Sequence, residues 1–196
     1  MAKYFDKDTL TKLIKSNKEI VLIRNKVLKE TGVDILDTDA ISSTFIYELV
    51  SQYDVDYNIN FARNGEDAKS KDILIEQKAT RVSGYYTRTG RIRKGAGEDA
   101  AFQFHAMGDI DSPRYIFAAR DKETLEVLRL YDISSDNNRA KVLAHLTNEK
   151  NLWLEKAKQD EKLMKRDIIM LTEKFILENL NLPNRHTINN CLIFRD

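Results

Sequence analysis

The period of the apolar residues changes along this chain, and that change constrains the fold more than any other feature. Residues 9–29 carry apolar side chains at helical spacing, and Gly32 follows as a stop signal. A second helix is predicted over residues 39–50, with Asp39 as a plausible N-cap. Over residues 57–63 apolar residues alternate with asparagines, which is typical of a half-buried strand. The chain therefore combines helices with strands.

The rest of the chain continues this mixture. Asn64-Gly65 and residues 69–71 have turn chemistry, and a strand over residues 73–82 is predicted to complete a hairpin with the strand before it. Further strands are predicted over 115–119 and 125–131, a long helical region over 136–180 and a terminal strand over 187–194, while residues 100–107 fit a short helix or a strand. These elements predict an α/β (α+β) fold, a central mixed β-sheet flanked by helices, in one domain over residues 1–196.

Composition excludes several kinds of site but identifies no partner. The 196 residues carry a formal net charge of +1, and 42% of them are hydrophobic, as in ordinary globular proteins. Cys191 is the single cysteine, so an internal disulfide and a cysteine-based zinc site are both excluded. No apolar run could span a bilayer and the N-terminus lacks an apolar signal core, so we expect a soluble, cytoplasmic protein with no membrane partner.

Positive charge is concentrated in one segment, from Lys78 to Gly97. This segment holds six cations and no acid, and four glycines lie between 84 and 97. Such a local field can steer a phosphate backbone even on a nearly neutral protein, and the glycines suit a loop that becomes ordered on binding. Arginine, serine and threonine can all contact phosphates or base edges. The segment therefore favours a nucleic acid as ligand, and a solvated surface loop is the alternative.

A carboxylate and a lysine lie two residues apart at the start of this segment. Glu76-Gln77-Lys78 follows three apolar residues, and positions i and i+2 of a strand project from the same face. Two charges on one face of a strand inside a sheet are costly unless a group such as a metal ion or a phosphate pairs with them. Phosphodiester hydrolysis needs a divalent cation, magnesium prefers carboxylate oxygens, and a nearby lysine can orient or deprotonate the water. The alternative is an ordinary Glu–Lys pair on a surface hairpin.

Asp67 is the predicted second carboxylate of this site. It lies at the end of the preceding strand and can approach Glu76 across the hairpin. Asp72 shares a face with Glu76, but four extended residues separate the two by about 13 Å, which is too far to share one ion. Asp67, Glu76 and Lys78 are therefore expected to meet at one point of the sheet.

This pattern resembles the PD-(D/E)XK nuclease superfamily, and type II restriction endonucleases in particular. The resemblance lies in Asp67, in the nine-residue step to Glu76, and in the Glu-x-Lys spacing on an apolar strand. The string Gly65-Glu66-Asp67-Ala68 looks like the turn of the small PvuII-type enzymes, although Glu66 stands where many relatives have a proline. The similarity covers residues 41–82, about a fifth of the chain.

The resemblance implies a role for each residue of the motif. Asp67 and Glu76 would bind Mg2+, the Gln77 carbonyl could contribute, and Lys78 would assist the attacking water. Many relatives add an acid from a preceding helix, for which Glu48 is the candidate.

Glu66 is the rival of Glu48 for that role. For DNA we expect Arg81 near backbone phosphates, and His105 as either a DNA contact or a structural histidine. The other candidates for DNA binding are Tyr85, Tyr86, Arg88, Arg91, Arg93 and Lys94, of which the three arginines are the favoured base readers.

As a whole, the resemblance implies a restriction-endonuclease-like core in a single nuclease domain, with N-terminal helices (1–52), a catalytic sheet and DNA-binding loop (53–135), and C-terminal helices with a last strand (136–196). It implies Mg2+-dependent cleavage of double-stranded DNA at a short palindromic site, as in a restriction-modification system, leaving 5′-phosphate and 3′-hydroxyl ends. A palindrome is matched most simply by a two-fold homodimer, with residues 9–29 as the expected contact. The alternatives are another DNA nuclease of this superfamily, acting in repair or junction cleavage, a non-catalytic DNA-binding protein, and a protein-interaction domain.

Overall fold

The computed structural model describes residues 5–31, 39–60, 67–82, 100–121, 124–159 and 167–196. Over these ranges the chain forms four helices and nine strands. The helices are α1 (Lys7–Thr31), α2 (Asp39–Val50), α3 (Asp136–Ala157) and α4 (Glu173–Asn179). The strands are β1 (Tyr57–Ile59), β2 (Ala68–Ser70), β3 (Ile73–Val82), β4 (Ala101–His105), β5 (Tyr115–Asp121), β6 (Val127–Ile133), β7 (Ile168–Thr172), β8 (Asn184–Ile188) and β9 (Cys191–Arg195).

Seven of the described strands form one mixed sheet, in the order β1-β2-β3-β5-β6-β9-β8. β3 runs parallel to β5, β5 antiparallel to β6, and β6 parallel to β9. β4 and β7 form a separate antiparallel pair. The predicted fold class, a mixed sheet flanked by helices, is thereby confirmed.

Both faces of the sheet are covered, and β5 shows this most directly because each of its residues is buried. Ile116 and Ala118 belong to an apolar core that includes residues of α1 and α2. Tyr115 and Phe117 belong to a second core, with residues of α3, α4, β4 and β7. Alternate residues of a strand point to opposite faces, so the two cores lie on opposite sides of the sheet. The neighbouring strand β3 therefore presents one face to each core.

The two predicted N-terminal helices are confirmed as α1 and α2. The α1 helix extends two residues beyond the predicted range at each end, and the Thr9 N–H donates to Asp6 Oδ1 at 2.8 Å just before its first turn. Hydrogen bonds from Thr9 to the carboxylate lower the pKa of Asp6. None of the helices in the described part of the chain combines the length and apolar character that a bilayer span requires.

The predicted hairpin between residues 57–63 and 73–82 is wrong in its pairing. β2 lies between β1 and β3 and is antiparallel to both. Lys69 and Ser70, which were expected in a turn, belong to this strand, and the turn follows at Lys71, whose φ is 52°. Turn-forming residue types do not prevent a short strand when both of its edges find partners. Residues 61–63 of the predicted strand lie outside the described residues.

The C-terminal third contains more strand than the sequence predicted. The region 136–180 was expected to be helical, but β7 interrupts it and pairs with β4, which settles residues 101–105 as a strand. The predicted terminal strand is a hairpin, in which Asn189 and Asn190 turn with φ of 49° and 66° between β8 and β9. Two consecutive positive φ angles are the geometry of a two-residue hairpin turn, which asparagine tolerates. The strands predicted over 115–119 and 125–131 are confirmed as β5 and β6.

Candidate active site

The candidate site lies where the pairing between β2 and β3 ends. Ala68 pairs with Ile75, so continuing the antiparallel register by one residue sets Asp67 opposite Glu76. Glu76 and Lys78 project from the same face of β3, the face toward β4. Lys78 Nζ lies 5.5 Å from the centre of the Phe104 ring on that strand. The sheet itself thus brings the predicted motif to one edge.

The three charged side chains of the motif meet in the structure. Lys78 Nζ forms an ion pair with Glu76 Oε1 and lies 3.9 Å from Asp67 Oδ2. The side chains of Lys78, Glu76 and Asp67 are 28%, 26% and 40% exposed. One ammonium therefore sits against two carboxylates from two different segments, in a place that solvent can reach.

Backbone hydrogen bonds hold this point of β3 from both sides. The Gln77 N–H donates to Asp67 Oδ2 at 2.9 Å. The Glu76 N–H donates to the Arg114 carbonyl at 3.0 Å, on the side of β5. In an extended strand the N–H and C=O of one residue point to the same edge, so the Gln77 carbonyl faces the edge where Asp67 lies. Asp67 is thereby positioned by the strand that carries its two partners.

The ligand types at this point fit Mg2+. Two carboxylates and one backbone carbonyl are the oxygen donors that magnesium prefers, and the ion typically keeps several waters in addition. Within the parts of the chain that the structure describes, no group of three or more His, Cys, Asp or Glu side chains could hold a metal ion. The point at the edge of β3 offers two carboxylates, from Asp67 and Glu76.

A cleft of about 530 Å3 adjoins the motif. Asp67, Gln77, Lys78 and Arg81 line it, and Glu76 is linked to this lining by its ion pair with Lys78. Further polar residues of the lining come from α2, β4 and β5, and they are Ser42, Ser43, Gln103, His105 and Arg120. The cleft thus joins the charged cluster to groups from three other elements.

Glu48 does not join the cluster. Its Oε1 accepts a hydrogen bond from Lys18 Nζ on α1 at 2.8 Å. It lines a different pocket, together with Glu126 and Val127. On α2 the residues that line the cleft are Ser42, Ser43 and Ile46. The structure therefore turns Glu48 toward Lys18 of α1, and Glu48 is not part of the candidate site. Its rival Glu66 lies outside the described residues.

Two of the predicted DNA-binding residues lie in the described part of the chain, and both line the cleft. They are Arg81 and His105. His105 is largely exposed, and its Nδ1 lies 3.1 Å from Asp167 Oδ1, next to β7. The other candidates, Tyr85, Tyr86, Arg88, Arg91, Arg93 and Lys94, lie outside the described residues.

Sequence reasoning missed several residues of the cleft. Arg120 carried a usable signal, because a buried cation inside an apolar strand demands a partner. Ser42 and Gln103 carried no such signal, because their types are common on any surface. They reach the cleft only through the packing of α2 and β4 around β3.

No known protein family, curated protein or solved structure matches this chain.

Proposed function

We propose that this protein is a Mg2+-dependent nuclease of the PD-(D/E)XK type, with a restriction-endonuclease-like core, that hydrolyses phosphodiester bonds of double-stranded DNA. One observation supports the proposal most strongly. Asp67 and Glu76, from two different segments, both lie against the ammonium of Lys78. An ordinary Glu–Lys pair on a hairpin needs no second carboxylate, whereas a metal-dependent hydrolase does.

Each residue of the motif has a chemical role in this proposal. Asp67, Glu76 and the Gln77 carbonyl would hold Mg2+, which would neutralise developing charge and lower the pKa of a bound water. The Gln77 N–H keeps Asp67 in place through its 2.9 Å hydrogen bond. Lys78 assists the attacking water, and it can also donate hydrogen bonds to the phosphate oxygens on which negative charge increases in the transition state. Water attacks phosphorus in line as the bond from phosphorus to the 3′ oxygen breaks. The water proton is released and the 3′ oxygen takes up a proton from solvent, which leaves a 5′-phosphate and a 3′-hydroxyl.

The finer part of the proposal is a type II restriction endonuclease acting at a short palindromic site. Two-fold symmetry of such a site is matched by a homodimer with one active site for each strand. Helix α1 supports this arrangement, because its neighbouring residues Leu22 and Ile23 are 71% and 58% exposed. Adjacent apolar side chains on a helix surface are stabilised when a second copy covers them.

The decisive experiment is cleavage of phage DNA by the purified protein. With Mg2+ we expect discrete fragments, and with EDTA none. Glu76→Gln and Lys78→Ala should each lower the cleavage rate about 100-fold or more, as the loss of one charged transition-state contact does elsewhere. DNA binding, measured by gel shift in EDTA, should survive both changes.

A matched pair of control variants is available on α4. Lys174 Nζ and Glu178 Oε1 lie 4.0 Å apart, and both side chains are well exposed. Lys174→Ala and Glu178→Gln remove the same charges away from the cleft and should leave cleavage unchanged. Wild-type cleavage by the Glu76→Gln protein would overturn the site assignment.

The other outcomes separate the competing functions. Cleavage of branched but not of linear duplex DNA would indicate a junction or repair nuclease and would exclude a restriction endonuclease. Salt-dependent DNA binding without cleavage, unaffected by Lys78→Ala, would indicate a non-catalytic DNA-binding protein. Sequencing the ends of discrete fragments would give the recognition site.

A further inference from the structure

The cleft beside β3 contains two buried polar atoms that the Asp67–Glu76–Lys78 cluster does not use. Among the described residues, neither Ser42 Oγ nor Gln77 Oε1 has a hydrogen-bond partner. Ser42 is 3% and Gln77 7% exposed, and both residues line the cleft. A buried polar atom without a partner reduces stability, so native proteins keep such atoms mainly where water or a ligand satisfies them.

The neighbouring charges select an anion as that ligand. Arg81 on β3 and Arg120 on β5 pair directly in the register of the sheet, and both line the cleft. Residues 77, 79 and 81 alternate with Glu76 and Lys78, so Gln77 and the two arginines project from the opposite face of the sheet, toward α2. Two guanidinium groups beside one cleft give it a positive local field, which favours an anionic ligand over a neutral or cationic one.

Gln77, like Ser42, can donate a hydrogen bond to an anion in the cleft. Its Nε2 lies 2.5 Å from the Tyr57 hydroxyl. Because a tyrosine hydroxyl both donates and accepts, the amide can be turned so that Oε1 meets Tyr57 and the NH2 group meets the cleft. In that orientation the Gln77 amide and the Ser42 hydroxyl are both hydrogen-bond donors, beside two guanidinium groups.

We propose that Ser42, Gln77, Arg81 and Arg120 form a second phosphate site, which binds a DNA backbone phosphate close to the one that is cleaved. This inference rests on the proposed nuclease function. Three extended residues, about 10 Å, separate Lys78 from Arg81, a span that one DNA strand can bridge with phosphates at both ends. In this arrangement the DNA strand crosses the edge of β3. Its scissile phosphate lies on the face of the sheet toward β4, and its second phosphate lies on the face toward α2.

The test uses Ser42→Ala, because a structural and a ligand-binding role predict different results for this change. Removing a buried hydroxyl that has no protein partner should leave the melting temperature unchanged or raise it. Removing a hydrogen-bond donor to a phosphate should weaken DNA binding about tenfold. Both quantities are measured in EDTA, by thermal unfolding and by fluorescence anisotropy with a labelled duplex.

The matched control is Ser70→Ala. Ser70 is also buried, but its hydroxyl donates to Asp54 Oδ1 at 2.8 Å. We expect the opposite pattern for this variant, with a lower melting temperature and unchanged DNA affinity. Arg81→Gln should weaken binding and reduce the slope of log affinity against log salt by about one, whereas Ser42→Ala should leave that slope unchanged.

The outcomes distinguish this site from the nuclease function. If Ser42→Ala binds the duplex as tightly as wild type, the second phosphate site is wrong, and the nuclease proposal stands provided that cleavage still depends on Glu76. If the Ser42→Ala and Arg81→Gln pattern holds but Glu76→Gln cuts normally, the phosphate site survives and the catalytic assignment fails. A loss of affinity together with a loss of melting temperature would show that Ser42 acts on the fold alone, and would overturn the site.

Discussion

Two clusters of charged side chains flank the sheet, and they differ in how completely their partners satisfy them. In the buried cluster, Glu173 accepts hydrogen bonds from the Arg129 guanidinium and from the Tyr131 hydroxyl, and its Oε2 also accepts the Ala100 N–H at 3.2 Å. All of these side chains are buried. Both carboxylate oxygens of Glu173 therefore have partners inside the protein.

The cluster at the edge of β3 uses the same kinds of group in a different setting. Asp67, Glu76 and Lys78 are a quarter to two fifths exposed, and they meet beside a cleft. The Lys78 ammonium is shared between the carboxylates of Asp67 and Glu76. The buried cluster already has a hydrogen-bond partner for each carboxylate oxygen of Glu173, so it offers no oxygen to a ligand. The partly exposed cluster at the edge of β3 can exchange its ion pairs for contacts with a metal ion or a phosphate.

The largest effect on stability should come from breaking the buried cluster. Glu173→Ala leaves the Arg129 guanidinium buried without its counter-charge, so we expect the free energy of unfolding to fall by about 3–5 kcal/mol. Urea unfolding measures the loss. A loss below about 1 kcal/mol would contradict the idea that this cluster is structural.

Cys191 provides an independent readout of the same change. The thiol is fully buried, and burial raises its pKa to about 12, so it stays protonated and unreactive in the folded protein. Alkylation of Cys191 at pH 8 should be slow in wild type and faster in Glu173→Ala, because the less stable variant opens more often.

A middle-sized effect should appear at Asp54, which lies before β1 and binds Arg114, the residue just before β5. Arg114 Nη1 donates to Asp54 Oδ2 at 2.5 Å, and the same guanidinium pairs with Asp132. Burial alone would raise the pKa of Asp54, but hydrogen bonds from Arg114 and Ser70 hold it below the ordinary value of 3.8. Asp54→Asn should therefore cost about 1–3 kcal/mol of unfolding free energy at pH 7.

The sign of the pH dependence follows from that lowered pKa. The stabilisation from Asp54 is complete above about pH 4 and is lost as the pH falls through the lower, folded-state pKa. Unfolding free energy measured from pH 7 to pH 2 should thus decline less steeply in Asp54→Asn than in wild type. Part of the decline should remain, because hydrogen bonds from Ser134, Ser135 and Asn138 outweigh burial and lower the pKa of Asp196 as well.

The smallest effect on stability should come from the edge cluster, although its effect on cleavage should be the largest. Glu76→Gln removes one partly exposed ion pair, which contributes no more than about 1 kcal/mol to the free energy of unfolding. Urea unfolding of this variant should match wild type within that range. If Glu76→Gln lowers the free energy of unfolding as much as is expected for Glu173→Ala, the cluster at the edge of β3 is structural. It then does not differ from the buried cluster in the way described above.

The parts of the fold that the sequence predicted well are those in which local pattern and tertiary environment agree. Residues of α1 and α2 show helical spacing of apolar side chains, and residues of β3, β5 and β6 show strand character. β7 was missed because Ile168 to Thr172 is short and lies between charged residues and a helix, where neither period is visible. Its strand conformation depends on hydrogen bonds to β4, which no local pattern records.

The candidate site divides in the same way. The meeting of Glu76 and Lys78 on one face follows from the two-residue period of a strand, and Asp67 was within reach because the chain reverses between them. Glu48 was misjudged because its place on a helix stripe says nothing about which neighbour it faces, and α1 supplies Lys18 as its partner.

The sequence by itself thus determined two things: that the chain mixes helices with strands, and that Asp67, Glu76 and Lys78 meet. Both follow from the spacing of residues that are close together in the chain. Tertiary structure alone decided that Ser42, Arg120 and His105 share one cleft with that cluster. These residues are far apart along the chain, and only the packing of α2, β4 and β5 around β3 brings them together. Contacts of that kind depend on the fold as a whole, because register and packing angles fix them and local sequence does not.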